Sequence, residues 1–227
     1  MMTNLFSTFD PATTMKLSMN WLSTMLYLLI LPMMYWILPN RPQMMMTMIS
    51  NKLHNELSLL LKKNSYGVTL MMVSLALFIL INNFMGLMPY VFTSSSHLIV
   101  SMTMAIPLWL SMMLYGWIMH TNHMLMHLVP SGTPAALMPF MVVIETISNV
   151  MRPGSVAVGL TGNMIAGHLL MSLLGNMTIK NMIFLPMTIL IQMMLLMFEM
   201  AVAIIQGYVF SVLSTLYSSE VNYEITL

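Results

Sequence analysis

The sequence predicts an all-α membrane protein: about five membrane helices, one amphipathic surface helix, and a C-terminal hairpin of two long tilted helices. Three observations carry that prediction. Of 227 residues, 59% are hydrophobic and 6% charged, with a mean hydropathy of +0.86, whereas a soluble domain carries about a quarter charged residues. No Lys, Arg, Asp or Glu occurs between Asn64 and Ile144. The C-terminal part holds two apolar segments that are each longer than one perpendicular crossing needs.

Composition also excludes several classes. A net charge of +1 gives no electrostatic basis for nucleic acid as a partner. There is no cysteine, so disulfides, thiolate metal sites and cysteine nucleophiles are ruled out. Methionine reaches 34 copies and is spread over nearly every segment. That fits a genetic code reading extra codons as methionine, as mitochondrial codes do, better than a Met-rich binding groove. The first 16 residues lack the basic region of a secretory signal and the arginines of a transit peptide. Synthesis inside the compartment that uses the chain is the expectation.

The elements follow in order. Leu17 to Leu38 is uncharged and long enough to cross about 30 Å of hydrocarbon, with Trp21, Tyr35 and Trp36 as interfacial anchors near its ends. From Met45 to Lys63 the pattern changes. Met45, Ile49, Leu53, Leu57, Leu60 and Leu61 recur at helical spacing among Lys52, Asn55, Glu56, Ser58 and Lys62. This amphipathicity predicts a helix lying on the membrane surface. Two further spans fit at 68–89 and 98–119. Arg41, Lys52, Lys62 and Lys63, four of the seven basic residues, fall between the first two spans, which places that connection on the inner side.

The hairpin covers 134–216, as two segments of 134–174 and 181–216 joined by Gly175 to Lys180. Each would be about 50–60 Å long as a helix, so each must break or lie strongly tilted. Pro139, Pro153-Gly154 and Pro186 allow bends. The whole chain, 1–227, reads as a single integral-membrane domain without internal repeats.

The hairpin also holds Glu145, Arg152 and Glu199 within apolar runs, with Asn163, His168 and Gln206 nearby. Ionisable groups in such segments are functional candidates by default, and desolvation brings a carboxyl and an imidazole toward a common pKa, which suits proton relay. Ser155, Gly159, Asn163 and Gly167 form a small-residue stripe at four-residue spacing, suited to close helix packing. His168, nine residues from Gly159, is expected to face a different environment. Glu199 and Gln206, seven apart, share a face of the second long helix. Asn163 and Gln206 could equally be interhelical hydrogen-bonding groups. His120, His123 and His127 lie near a span end, where interfacial solvation accounts for them. No carboxylate stands near them in sequence, so no metal site is expected.

Several stretches resemble one family. NNFMGLMPY (82–90), AIPLWL (105–110), LVPSGTPAALMPFMVVIETISN (128–149), LTGNMIAGHLL (160–170) and IQGYVFSVLSTLY (205–217) are similar, in order and over nearly the whole chain, to subunit a of the F-type ATP synthase. Its mitochondrially encoded members are the most alike. The resemblance implies a non-catalytic, proton-conducting stator subunit of the mitochondrial inner membrane. It implies no cofactor. Its expected partners are a rotating c-subunit ring, other membrane and stalk subunits, the lipid bilayer and protons. By motif, His168 and Glu199 resemble the pair of the half-channel open to the intermembrane space. Glu145 resembles the carboxylate of the matrix-side half-channel, and Asn163 and Gln206 the polar residues at the ring-facing centre.

One departure matters. The family pattern reads A-V-R-L-T-A-N, and its arginine faces the ring carboxylates; this chain has Ala157-Val158-Gly159-Leu160-Thr161-Gly162-Asn163. Three readings of Gly159 follow: a single-base change or decoding error, compensation by Arg152 two turns away, or an impaired subunit. A secondary cation/proton transporter and a purely structural membrane subunit are the alternative function classes. The transporter would be expected to show inverted repeats and broken helices.

Overall fold

The computed structural model describes residues 5–13, 17–33, 35–61, 67–129, 132–134, 137–180 and 185–221, and every regular element among them is helical. Lys62 and Lys63 of the basic cluster, and the expected start of the second long segment at Asn181, lie outside the described residues.

The first apolar segment is shorter than the expected span of 17–38. A 3-10 stretch over Met19–Met25 continues into α1, Leu26–Ile30, and regular helix stops there. The cause is local. Leu31 precedes Pro32 and takes an extended conformation, φ −62° and ψ 119°, because the proline ring disfavours helical geometry in the residue before it.

The surface helix, α2, spans Arg41–Leu60, four residues earlier than its hydrophobic pattern begins. Asn40 explains the early start. Its N–H donates to Gln43 Oε1 at 2.8 Å, one half of a capping box, and Gln43 Nε2 donates to Met33 O at 2.5 Å. Pro42 occupies the first turn, where a missing N–H is harmless. Leu57 is fully buried against the bundle while Lys52 and Glu56 stay exposed, the segregation predicted for α2.

Two spans follow: α3, Val68–Gly86, and α4, Leu98–Met119. The first ends three residues before the expected boundary, and the second keeps its expected limits. A seven-residue helix, α5, Thr121–His127, then turns the chain; the sequence pattern did not suggest it. The hairpin comprises α6, Met138–Lys180, of 43 residues, and α7, Leu185–Val221, of 37. At 1.5 Å per residue they reach about 64 and 55 Å. Both are unbroken. Pro153 lies inside α6 and leaves the carbonyl of Asn149 without its usual i+4 donor, yet the helix continues, as membrane helices often do.

The bundle packs around Leu57, Met72, Val73, Ile79, Ala105, Leu108, Ala157, Leu160 and Phe210. The α3–α7 pair is the most intimate. A Cβ at Gly207 would stand 3.3 Å from the carbonyl oxygen of Ala76, so a larger residue there would push the two backbones apart by a few tenths of an ångström. Helix α6 packs mainly on α4 and α7, burying Ala157, Leu160, Thr161 and Met164. Four of these helices, α3, α4, α6 and α7, are long and apolar enough to cross a membrane.

Candidate functional site

The polar groups of the hairpin fall at three levels along it. Nearest the turn, Glu199 of α7 lies against Gly167 of α6. A Cβ at Gly167 would come within 2.8 Å of Glu199 Oε1, so this carboxyl occupies the space that a glycine vacates. Glu199 and His168 line one cavity of about 260 Å³, together with Asn163, Gly167, Phe198 and Leu87. Glu199 is 8% exposed. Its Oε1 and His168 Nε2 are both buried and make no hydrogen bond among the described residues. Unpaired polar atoms in a cavity of this size demand water or a transferable proton, since burial without a partner costs about 1–3 kcal/mol each. His168 also meets the edge of Phe9, with ring centroids 6.3 Å apart.

At the middle level, Asn163 Nδ2 donates to Gln206 Oε1 at 2.9 Å. Gly159 sits beside the same residue: a Cβ there would meet only Gln206 Nε2, at 3.8 Å. A side chain at 159 would therefore begin in open space next to the Asn163–Gln206 bond.

At the far level, Arg152 holds three partners. Its Nη1 donates to Glu220 Oε2, its Nη2 lies 3.7 Å from Glu145 Oε1, and its guanidinium stacks over Tyr217, 5.1 Å from the ring centre. Arg152, Glu145 and Glu220 line a second cavity of about 290 Å³ with His127 and Asn149. The interval from Arg152 to Gly167 is about 22 Å along α6, so the two cavities lie at separate levels of the hairpin.

The small-residue stripe has a different role from the one its spacing suggests. Ser155, Gly159 and Asn163 are exposed, and α6 buries the offset face of Ala157, Leu160 and Met164 instead. Among the described residues, the stripe meets another helix only where Glu199 approaches Gly167 and where Gln206 meets Gly159 and Asn163. His168 lines a cavity with Asn163 and Gly167, and Gly159 lies outside that cavity.

Three residues escaped the sequence reading, and His127, assigned there to interfacial solvation, lines the Arg152 cavity. Glu220 lines the same cavity, and Tyr217 lies against the Arg152 guanidinium. Asn83 of α3 is fully buried with neither amide atom hydrogen-bonded among the described residues, one turn before Leu87 of the other cavity. Glu220 did carry a signal: it continues the seven-residue spacing of Glu199 and Gln206, as Glu145, Arg152 and Gly159 do on α6. No group of three metal-ligating residues forms among the described residues.

Known proteins match this sequence over nearly its whole length. A family model described as ATP synthase A chain covers residues 17–219. ATP synthase subunit a of Aedes aegypti is 62% identical over 226 residues, 98% of this chain and all of that protein. The subunit a proteins of Locusta migratoria and Drosophila melanogaster are 58% and 59% identical, over 97% and 98% of this chain and the full length of each relative. The chain belongs to the ATP synthase A chain family.

Proposed function

We propose that this chain is the proton-conducting stator subunit of the ATP synthase membrane sector in the mitochondrial inner membrane, itself non-catalytic, forming two half-channels against a rotating c-subunit ring. One observation carries the reading: two separate cavities lined by ionisable groups lie about 22 Å apart along one hairpin, with exposed Gly159 between them. A single through-pore would short-circuit the membrane. Two offset cavities force a proton to change carrier at the middle, where a moving partner can take it.

Orientation follows from the positive-inside rule. With Arg41 and Lys52 on the matrix side, α3 crosses outward and α4 returns, so the Glu145–Arg152–Glu220 cavity opens toward the matrix. The His168–Glu199 cavity then belongs to the intermembrane-space side. Glu199 and His168 pass protons inward and Glu145 receives them on the far side, each within hydrogen-bonding surroundings that low dielectric strengthens. The exposed stripe of Ser155, Gly159 and Asn163 presents no side chain larger than asparagine, which suits the close approach of a partner helix.

Gly159 sets the quality of this gate. An arginine there would stand beside Gln206 with nothing in its way. Arg152 lies about 10 Å further along the axis and is engaged by two carboxylates and a tyrosine, which favours an impaired gate over compensation. A secondary transporter is disfavoured because α6 and α7 run unbroken at the midplane, where such proteins unwind.

Cross-linking tests the reading. The chain has no cysteine, so Val158→Cys on the exposed centre of α6 can be paired with cysteines on the c-subunit carboxylate helix in the assembled complex. A disulfide from Val158→Cys, absent from Ile106→Cys on α4, supports the ring contact. No cross-link from any exposed position of α6 or α7 would remove it.

A further inference from the structure

We propose that His127, with His123 beside it, exchanges protons between the solution and the Glu145–Arg152–Glu220 cavity. The inference rests on the half-channel reading of that cavity.

Two observations place His127 at its mouth. Among the described residues it is the one histidine lining the cavity, and it is exposed at the end of α5, outside the spans. The cavity thus has a titratable group that touches both phases. His123 precedes it by one turn, with ring centroids 4.6 Å apart, and His120 stands at the α4–α5 junction with its ring 6.1 Å from Tyr115.

The surrounding charges suit the task. From α6 the cavity presents Glu145 and Arg152, and from α7 Glu220, with Tyr217 under the Arg152 guanidinium. Two carboxyl groups face one guanidinium there, and such an acidic lining draws cations to the mouth. Imidazole is the side chain whose ordinary pKa keeps both forms populated near neutrality. His123 is held below its ordinary value first by burial, then by the charges of His127 and His120. The adjacent rings therefore resist carrying two protons at once, and a proton on one is readily displaced.

The step is simple. A proton arriving in the cavity binds the neutral ring of His127, and the imidazolium releases it to a water or buffer base outside. Movement in the other direction uses the same groups in reverse.

The experiment measures proton flux through the assembled complex in inner-membrane vesicles, driven by a potassium diffusion potential, at low buffer concentration and over a range of matrix-side pH. Variants are His127→Gln, the His123→Gln/His127→Gln pair, and His54→Gln on α2 as control. Loss of His127 should lower the flux on the order of tenfold, less than the hundredfold or more of an obligatory proton-transfer group, because water also reaches the mouth. Added imidazole buffer should restore it, and the dependence of flux on matrix-side pH should flatten. Unchanged flux and pH profile in a conducting complex would overturn the role, as would a loss that imidazole does not rescue, which marks a structural part only. A complex that passes no protons before any substitution would instead bring down the half-channel reading, and this inference with it.

Discussion

Asn163 of α6 donates a 2.9 Å hydrogen bond to Gln206 of α7, and this bond lies between two cavities that hold the hairpin's ionisable side chains. Asn163 itself lines the cavity of Glu199 and His168. On the proposed reading, a carrier from another chain takes the proton past this level, across the exposed face that Gly159 and Asn163 share.

Gly167 fixes the first cavity. A methyl group there would overlap Glu199 Oε1, which stands 2.8 Å from the Cβ position, so Gly167→Ala should push the carboxyl out of place at a cost of about 1–3 kcal/mol. Proton flux should fall severalfold with the complex still assembled. Gly175→Ala, on the same helix with nothing within 4 Å, should leave flux unchanged and add slightly to helix stability. Equal flux in both variants would mean that the placement of Glu199 is unimportant.

Arg152 ties the other ends of α6 and α7 together. Its side chain is 24% exposed and that of Glu220 53%, so solvent screening limits the pair. A double-mutant cycle of Arg152→Met and Glu220→Gln, read by thermal unfolding of the purified complex, should give a coupling of about 1 kcal/mol. The Arg152–Glu145 coupling should be smaller, because 3.7 Å is an ion-pair contact without a hydrogen bond. A larger value for Glu145 would reverse the roles assigned here.

Topology is open to a direct check. Lys52 is exposed on α2, and the orientation adopted here puts it on the matrix side. An impermeant amine reagent should label it in inside-out vesicles and not in intact mitochondria stripped of the outer membrane. The opposite pattern would invert every side assignment above.

How much of this was legible in the sequence depended on range. Helix α4 kept its expected limits because an uncharged run between His97 and His120 has no competing reading. The hairpin's excess length was visible too, since no proline or glycine pair in it is strong enough to stop a helix in lipid. The first span was misjudged at Pro32, whose effect on Leu31 outweighed the apolar composition of residues 31–38. Glu199 and Gln206 were placed on one face of α7, and both do turn toward α6. The pairing of Arg152 with Glu220 was hidden, because 68 residues separate them and only the helix register brings them together. Spacing identified the small-residue stripe, but it could not say whether α7 or another chain would cover it.

The central claim is that a two-cavity proton path here lacks the cation at its gate. An opposite charge beside a carboxyl shifts its pKa by about one to three units, so an arginine facing the ring should raise the deprotonated fraction there about tenfold or more. Gly159 forfeits that effect and leaves space through which protons can pass between the cavities. The deciding measurement is proton-driven ATP synthesis, with proton leak recorded in parallel, in vesicles carrying the Gly159 chain, Gly159→Arg, and Arg152→Gln. The account predicts poor coupling with Gly159, a rise in synthesis and a fall in leak with Gly159→Arg, and little further loss with Arg152→Gln. Fully coupled synthesis by the Gly159 chain, persisting after Arg152→Gln, would contradict it.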